Sequence, residues 1–306
     1  MPYYLGIDGG GTKTTCAVGD QTSLVATATA GPSNVVRVGE TVTRESLQQS
    51  VRQACAAAGI STGQVSYTCV GGSGAGRPEL ASAVRGFLAE ILPTPIAVVG
   101  DMDIALEAAF DHGPGVIVIA GTGSIAYGRD RRGRTVRAGG WGFAIGDEGS
   151  AHWIGRVAVN AVLRASDRSG RVGTSRLAAS LSKPWKADSL LDLARAANAV
   201  PPPNFAALFP SVADSRDQLA QDVLGWAGRE LAEIASVVIG QLFAKDQNDP
   251  VPVAMTGGVF RHSEIVREVF YNELRRLDPR AQVNPRVVDP VEGALRLARQ
   301  AASGRG

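Results

Sequence analysis

The stretch Leu5 to Thr14, LGIDGGGTKT, decides the fold. A short apolar strand runs into an acid, a run of glycines and a threonine, and each part has a phosphate-related use. Glycines lack Cβ atoms, so a tight turn through Gly9, Gly10 and Gly11 can bring backbone N–H groups close to phosphate oxygens. Asp8 stands at the strand end, where its oxygens suit a hydrated Mg²⁺. The residues that follow, TTCAVGD, read as a second strand, so the glycines close a β-hairpin. That excludes two familiar phosphate loops. A Walker A loop needs GK[ST] opening a helix, and a dinucleotide loop needs GxGxxG opening one. Taken alone, the segment also fits an ordinary glycine-rich hairpin.

Further along, SLVATATAG reads as a third strand, and a helix runs from about Thr43 to Ala58, closed by Gly59. VSYTCVGGSGAG is a buried strand ending in a glycine loop, and Pro78 opens a helix reaching about Leu92. PIAVVGD is a strand ending on Asp101, with DIALEAAF continuing as a helix. The pattern then begins again. GVIVIAGTGS is a strand and glycine turn, IAYGRD and TVRAGGWG are strands, and Arg129 to Arg134 is a solvated turn between them. From Ser150 the chain is mostly helical, with AHWIGRVAVNAVLRASD and the segment Asp214 to Ala244 at helical spacing, and Val200 to Pro203 a loop. PVAMTGGVF is a strand ending on paired glycines, HSEIVREVFYNELRRL an amphipathic helix, and VVDPVEGALRLARQ a strand, turn and terminal helix. Strands alternating with helices in two similar halves predict an α/β chain of two lobes. The expected lobes are residues 1–111 with the terminal helix 290–303, and residues 112–289.

At 306 residues there is room for two cores. Apolar content of 44% and charged content of 20% are those of a soluble globular protein. A formal charge of +2 gives no reason to expect nucleic acid or an anionic membrane as partner. No stretch approaches the roughly 20 apolar residues that span a bilayer, and no secretory leader is expected at the N-terminus. Cys16, Cys55 and Cys69 form no CxxC pair and His112, His152 and His262 no metal spacing, which fits buried thiols in a reducing cytoplasm.

Strand ends at DGGGT, Asp101, AGTGS and MTGGV now need a common explanation. In open α/β sheets ligands gather beyond the carboxyl ends of strands. Two glycine turns can clamp β- and γ-phosphates from opposite sides, and Gly257-Gly258 can let adenine and ribose lie against backbone. This pattern resembles the actin-like ATPase superfamily, and GGWGFAIGDEGSAHWIG, Gly139 to Gly155, resembles the signature of the N-acetylglucosamine kinase family within the BadF/BadG/BcrA/BcrD ATPase group. The resemblance covers essentially the whole chain, in order. It implies a two-lobed actin-like (ribonuclease H-like) fold, each lobe a mixed sheet flanked by helices, with an interlobe cleft.

Carried over by position, the resemblance implies that Gly9, Gly10, Gly11, Thr12 and Lys13 form the first phosphate loop and Gly121, Thr122, Gly123 and Ser124 the second. Thr256, Gly257, Gly258 and Val259 match the adenosine motif, and Asp8, with Asp101, the Mg²⁺ carboxylates. Asp101 matches the catalytic base, in the context VVGD where Asn-Asp or Thr-Asp is commoner. Asn34, Ser73, Gly140, Trp141, Asp147 and Ala151, with Gly74 and Glu148 beside them, match sugar-contact positions. The implied activity is ATP-dependent phosphorylation of an amino sugar at its 6-hydroxyl, in a cytoplasmic homodimer.

Local alternatives stand beside these roles. Asp101 can be a helix N-cap, Asp103 a capping or exposed acid, Asp147 and Glu148 first-turn acids, and Lys13 a solvated turn lysine. Trp153, Trp185 and Trp226 read as core or interface aromatics, and Arg77 as a helix-opening surface residue. Glucosamine and muramic-type sugars compete with N-acetylglucosamine, because an acetyl group wants an apolar pocket whereas an ammonium wants a carboxylate such as Asp147 or Glu148. An iron–sulfur activator ATPase and a sensor without turnover are the alternatives of other classes.

Overall fold

The computed structural model describes residues 2–72, 74, 75, 77–169, 175–244 and 249–304. The described residues divide into two compact units, 1–113 with 288–306, and 114–287.

In the first unit the N-terminal apolar run forms β1 (Tyr3–Gly9). The turn after it is closed by the Gly10 N–H donating to Lys13 O at 3.0 Å. The chain returns antiparallel as β2 (Thr14–Gly19), with Gly9 opposite Thr14, and again as β3 (Leu24–Ala30). Next comes α1 (Val35–Ala57), which starts earlier than the apolar spacing predicts. The Asn34 side chain accepts from Arg37 N–H at 3.2 Å to cap a first turn, and the helix breaks at Gly39, φ 78°, before its long amphipathic part. Its end follows expectation: Gly59 sits at φ +67° and Ile60 N–H reaches back to Cys55 O at 3.0 Å. Strand β4 (Val65–Gly72) pairs parallel with β1, and β5 (Ile96–Gly100) parallel with β4. Helix α2 (Pro78–Ala89) connects them, with Arg77 exposed at its N-cap and Pro78 at its start. Helix α3 (Asp101–Phe110) leaves directly from β5.

Alternation along β1 separates two apolar layers. Leu5 and Ile7 join Cys16, Leu47, Val51 and Leu88 under α1 and α2. Tyr4, on the opposite face, joins Cys69, Ile104 and Leu295.

The second unit builds the same meander from β6 (Gly115–Ala120), β7 (Ser124–Arg129) and β8 (Thr135–Gly139), all antiparallel. A helical stretch follows: α4 (Ala151–Ser169), α5 (Arg176–Ser182), α6 (Leu190–Ala197), α7 (Phe209–Ala213) and α8 (Gln218–Leu242). Strand β9 (Val251–Thr256) pairs parallel with β6. The run after its glycines is helical, as α9 (Gly258–His262) and α10 (Glu264–Leu277), with Ser263 between them capping α10 by accepting from Val266 N–H at 3.3 Å. Strand β10 (Ala281–Val288) and α11 (Pro290–Ala302) end the chain, and α11 packs against β1 and α3 of the first unit. The two sheets have the orders β3-β2-β1-β4-β5 and β8-β7-β6-β9-β10. The repeat glimpsed in the sequence is therefore a full topological duplication.

Candidate active site

In the first unit, parallel pairing aligns the strand ends. Gly9 of β1 stands opposite Gly72 of β4, and Gly72 opposite Gly100 of β5, so Asp8 and Asp101 come to one edge of the sheet with β4 between them. Asp101 is aimed by packing. A Cβ on Gly71 would stand 2.5 Å from Ile104 Cγ1, so the missing methyl is where Ile104 seats α3 on the sheet. Asp101 and Ile104, three residues apart, share a helix face, so the face of α3 that packs on β4 is the one that carries Asp101.

The N-cap of α3 is Gly100, not Asp101. Asp103 supplies the capping contact, its Oδ2 accepting from Gly100 N–H at 3.1 Å, while Asp101 Oδ1 accepts from Met102 N–H at 3.0 Å. The glycine turn after β1 is held from behind by Ser33 N–H donating to Gly10 O at 3.1 Å. Thr14 Oγ1, fully buried, donates to Gly31 O at 2.7 Å and shares a 2.7 Å bond with Ser33 Oγ. Thr12 and Lys13 are exposed on the turn. Asn34 follows Ser33, its carbonyl oxygen committed to the α1 cap. Gly74 is exposed at φ +86°, and Ser73 lies outside the described residues.

The second unit carries the other set. Its turn closes by Gly121 N–H to Gly123 O at 2.9 Å, and the Gly121 and Thr122 carbonyls accept the Ala151 and His152 N–H groups at 2.9 and 3.3 Å. Asp147 lies before α4 in a loop, at φ 60°, and is not a first-turn acid. Ser150 does the capping there, its Oγ accepting from Trp153 N–H at 3.1 Å. The Asp147 carboxylate accepts from Gly142 N–H at 3.2 Å and lies against Gly123, where a Cβ would meet Oδ2 at 2.7 Å. Burial pushes its pKa up, against the pull of the Gly142 and Ser124 N–H groups.

Trp141 is exposed by 68% on the glycine loop, with the Arg137 guanidinium 4.7 Å over its ring. Phe143 packs at a tilt, 5.0 Å from the ring of the buried His152, which also meets Phe205 edge-on. Of the other tryptophans, Trp153 is buried edge-on to the half-exposed Trp226, and Trp185 packs on Phe205. The residues expected from the resemblance to receive adenosine lie beside the turn: Thr256 pairs with Ile119 of β6, and Gly257 takes φ +105° hard against Ala120. Val259 is buried and Gly258 exposed.

Sequence spacing missed one cluster. Glu107, Asp111 and His112 bring possible ligand atoms within 4.8 Å of one another, with Gln300 Nε2 donating to Glu107 Oε1 at 3.1 Å. It sits at the end of α3 opposite to Asp101 and takes no part in the strand-end site. All three cysteines are buried, and burial pushes the Cys16 and Cys69 thiols up, Cys69 to about 12. Such thiols are poor iron–sulfur ligands, since the thiolate is the binding form. No helix among the described residues is long and apolar enough to cross a membrane.

Duplicated mixed sheets flanked by helices, each with a Gly/Thr turn after its first strand, define an actin-like ATPase fold. Within that class the chain belongs to the BadF/BadG/BcrA/BcrD ATPase family, whose model matches residues 5–298. It is 31% identical to an N-acetylmuramic acid/N-acetylglucosamine kinase of Clostridium acetobutylicum, over 98% of this chain and 99% of that one. It is 28% identical to the N-acetyl-D-glucosamine kinase of Dictyostelium discoideum, over 96% and 97% of the two chains. Among solved structures it is similar to a candidate N-acetylglucosamine kinase from Chromobacterium violaceum, with a TM-score of 0.76, 28% identity and coverage of 97% and 99%.

Proposed function

We propose that this chain is an ATP-dependent kinase that transfers the γ-phosphoryl group to the 6-hydroxyl of an amino sugar, N-acetylglucosamine first. The observation that carries it is Asp101, seated by Ile104 and Gly71 on the strand edge that also holds Asp8 and the first phosphate turn.

Phosphoryl transfer is chiefly a matter of positioning and charge. Asp101 accepts the proton of the attacking hydroxyl, which matters because a free alkoxide is costly at neutral pH. The turns at residues 9–13 and 121–124 offset charge on the phosphates through main-chain N–H groups other than those of Gly10, Gly121 and Ser124, which close the turns or hold Asp147, and Thr256 to Val259 receive the adenosine. Asp8 and Asp101 offer hard carboxylate oxygens, the donor type that holds Mg²⁺ beside substrate phosphates. That ion, when bound, neutralises phosphate charge. Asn34, Ser73, Gly74, Gly140, Trp141, Asp147, Glu148 and Ala151 are assigned to the sugar. A cytoplasmic homodimer completes the proposal.

The name of the Clostridium relative favours a second acceptor, N-acetylmuramic acid. Initial rates with N-acetylglucosamine, N-acetylmuramic acid, glucosamine and glucose, at fixed ATP and Mg²⁺, rank the acceptors. Turnover of none would overturn the kinase assignment.

A further inference from the structure

The duplication places a buried hydroxyl at the same point of each unit. Thr14 is the first residue of β2 and Ser124 the first residue of β7. Both are buried, Thr14 completely and Ser124 to 4% exposure. Each follows a turn assigned above to phosphate, and each hydroxyl is committed to protein partners. Thr14 Oγ1 is bonded to Ser33 Oγ and Gly31 O, both at 2.7 Å, and Ser124 Oγ donates to Glu148 O at 2.6 Å. In both units the partner lies in the segment that follows the third strand of the meander, after β3 in one and after β8 in the other. Those two segments hold Asn34 and the stretch Gly140 to Ala151, which carry all the residues assigned to the sugar except Ser73 and Gly74.

Backbone bonds run in parallel with each strut. Ser33 N–H donates to Gly10 O at 3.1 Å, and Ala151 N–H to Gly121 O at 2.9 Å. In the second unit the Asp147 carboxylate adds a third tie, accepting from Gly142 N–H and from the Ser124 backbone. A turn and a loop joined this way cannot reposition independently.

We propose that Thr14 and Ser124 are positioning residues that fasten each phosphate turn to the sugar segment of its own unit, so that nucleotide and sugar raise one another's affinity through these two hydroxyls. This rests on the kinase reading above. Neither side chain is a phosphate ligand. Coupling of this kind is reciprocal: whatever factor the sugar adds to nucleotide affinity, the nucleotide adds to sugar affinity.

The test uses the full-length protein and its Thr14→Val, Ser124→Ala and Ser124→Cys variants, with Thr14→Ser and Ser124→Thr as conservative partners. Calorimetric titration gives the dissociation constant of a non-hydrolysable ATP analogue without and with saturating N-acetylglucosamine. The wild type is expected to show coupling, and loss of one hydroxyl to cut that factor by about fivefold, the size of one net hydrogen bond. Thr14→Ser and Ser124→Thr should restore it, and a merely structural role would not single out the coupling factor. Hydrogen exchange over residues 142–152 supplies a second readout, with analogue-induced protection expected in the wild type and lost in Ser124→Ala.

Undiminished coupling in folded Thr14→Val and Ser124→Ala, or no coupling in a wild type that binds both ligands, overturns the inference. If Ser124→Ala does not fold, Ser124→Cys decides, since it keeps the volume and weakens the donor. If the wild type binds the analogue and none of the sugars, the kinase assignment fails by itself. The strut then stands or falls on the exchange result alone.

Discussion

Replacing Gly257 with alanine should damage both the fold of the second unit and its hold on nucleotide, whereas the same change at Gly258 should damage the second only. Gly257 has φ +105° and ψ 167°, a region essentially reserved for glycine, where a side chain costs about 1–3 kcal/mol. A Cβ there would also stand 2.5 Å from the Ala120 carbonyl carbon and 3.0 Å from its nitrogen. Those are backbone atoms of β6 at the root of the turn Gly121 to Ser124, proposed above to meet phosphate, so they cannot swing aside as a side chain would. Overpacking of this kind adds about 1–3 kcal/mol. The sum, roughly 4 kcal/mol, corresponds to a fall in Tm of about 8–16 °C for a unit of this size. The strain is relieved only by parting β9 from β6, which shifts Gly121, so analogue affinity should fall at least about tenfold (roughly 1.4 kcal/mol). A Cβ on Gly258 meets no atom within 4 Å. Gly258→Ala should melt within about 1–2 °C of wild type, as exposed substitutions do, and still bind nucleotide less well if adenosine lies on that backbone. Scanning calorimetry and titration of a non-hydrolysable ATP analogue read both quantities. A Gly257→Ala protein that melts and binds like wild type refutes the reasoning, and so does a Gly258→Ala protein destabilised to the same extent.

Three further changes probe the first unit. Asp101→Asn should lower kcat by about 10²–10⁴ while KM and Tm stay close to wild type; a coupled ADP-release assay within tenfold of wild type would remove Asp101 from the role of base. Ile104→Ala empties the space over Gly71 and should cost about 2–5 kcal/mol in urea unfolding. It should also lower kcat, because Asp101 loses its seat; unchanged kcat in a folded variant would separate the two residues. Glu107 is fully buried, and burial raises its pKa, with its hydrogen bond to Asp111 next in weight. The native chain therefore binds this proton more tightly than the unfolded chain. The stability it contributes is full below the ordinary glutamate value of about 4.3 and is lost as pH rises through the raised native value. Relative to wild type, Glu107→Gln should become more stable as pH rises from 4 to about 8. A difference that is flat with pH, or of opposite sign, counts against a raised native pKa.

Much of this was legible because glycine turns and apolar runs act locally. LGIDGGGTKT and GVIVIAGTGS each signal strand, turn, strand without reference to distant residues, and both meanders form. Helix starts fared less well, because a cap is one residue and carries no periodicity. Asn34 opens α1 ahead of its apolar stripe, and Ser263 divides the run after Gly258 into α9 and α10. The residue types were correct in both places, since Asn and Ser are strong N-caps, but reading Asn34 only as a sugar contact hid its local task. Least legible were roles that depend on a partner far along the chain. Gly71 reads as one more glycine until Ile104 is seen filling the place of its side chain.

The acids show the same limit from the other side. Asp101, Asp103, Asp147 and Glu148 all precede or open helices, and by sequence each could cap one. A helix end accepts few such carboxylates, so the structure sorts them by geometry. Asp103 reaches back to Gly100, and Ser150 caps α4. Asp147 is thereby released into a left-handed loop conformation, where its carboxylate is buried beside Gly123 at some electrostatic cost. A helix-dipole role would have left it solvated and its pKa undisturbed or lowered. Burial with backbone N–H partners on two loops is instead the arrangement of a group that holds those loops together. If that is its task, Asp147→Asn, which keeps size and tolerates positive φ, should preserve Tm better than Asp147→Ala, and equal melting of the two would contradict it.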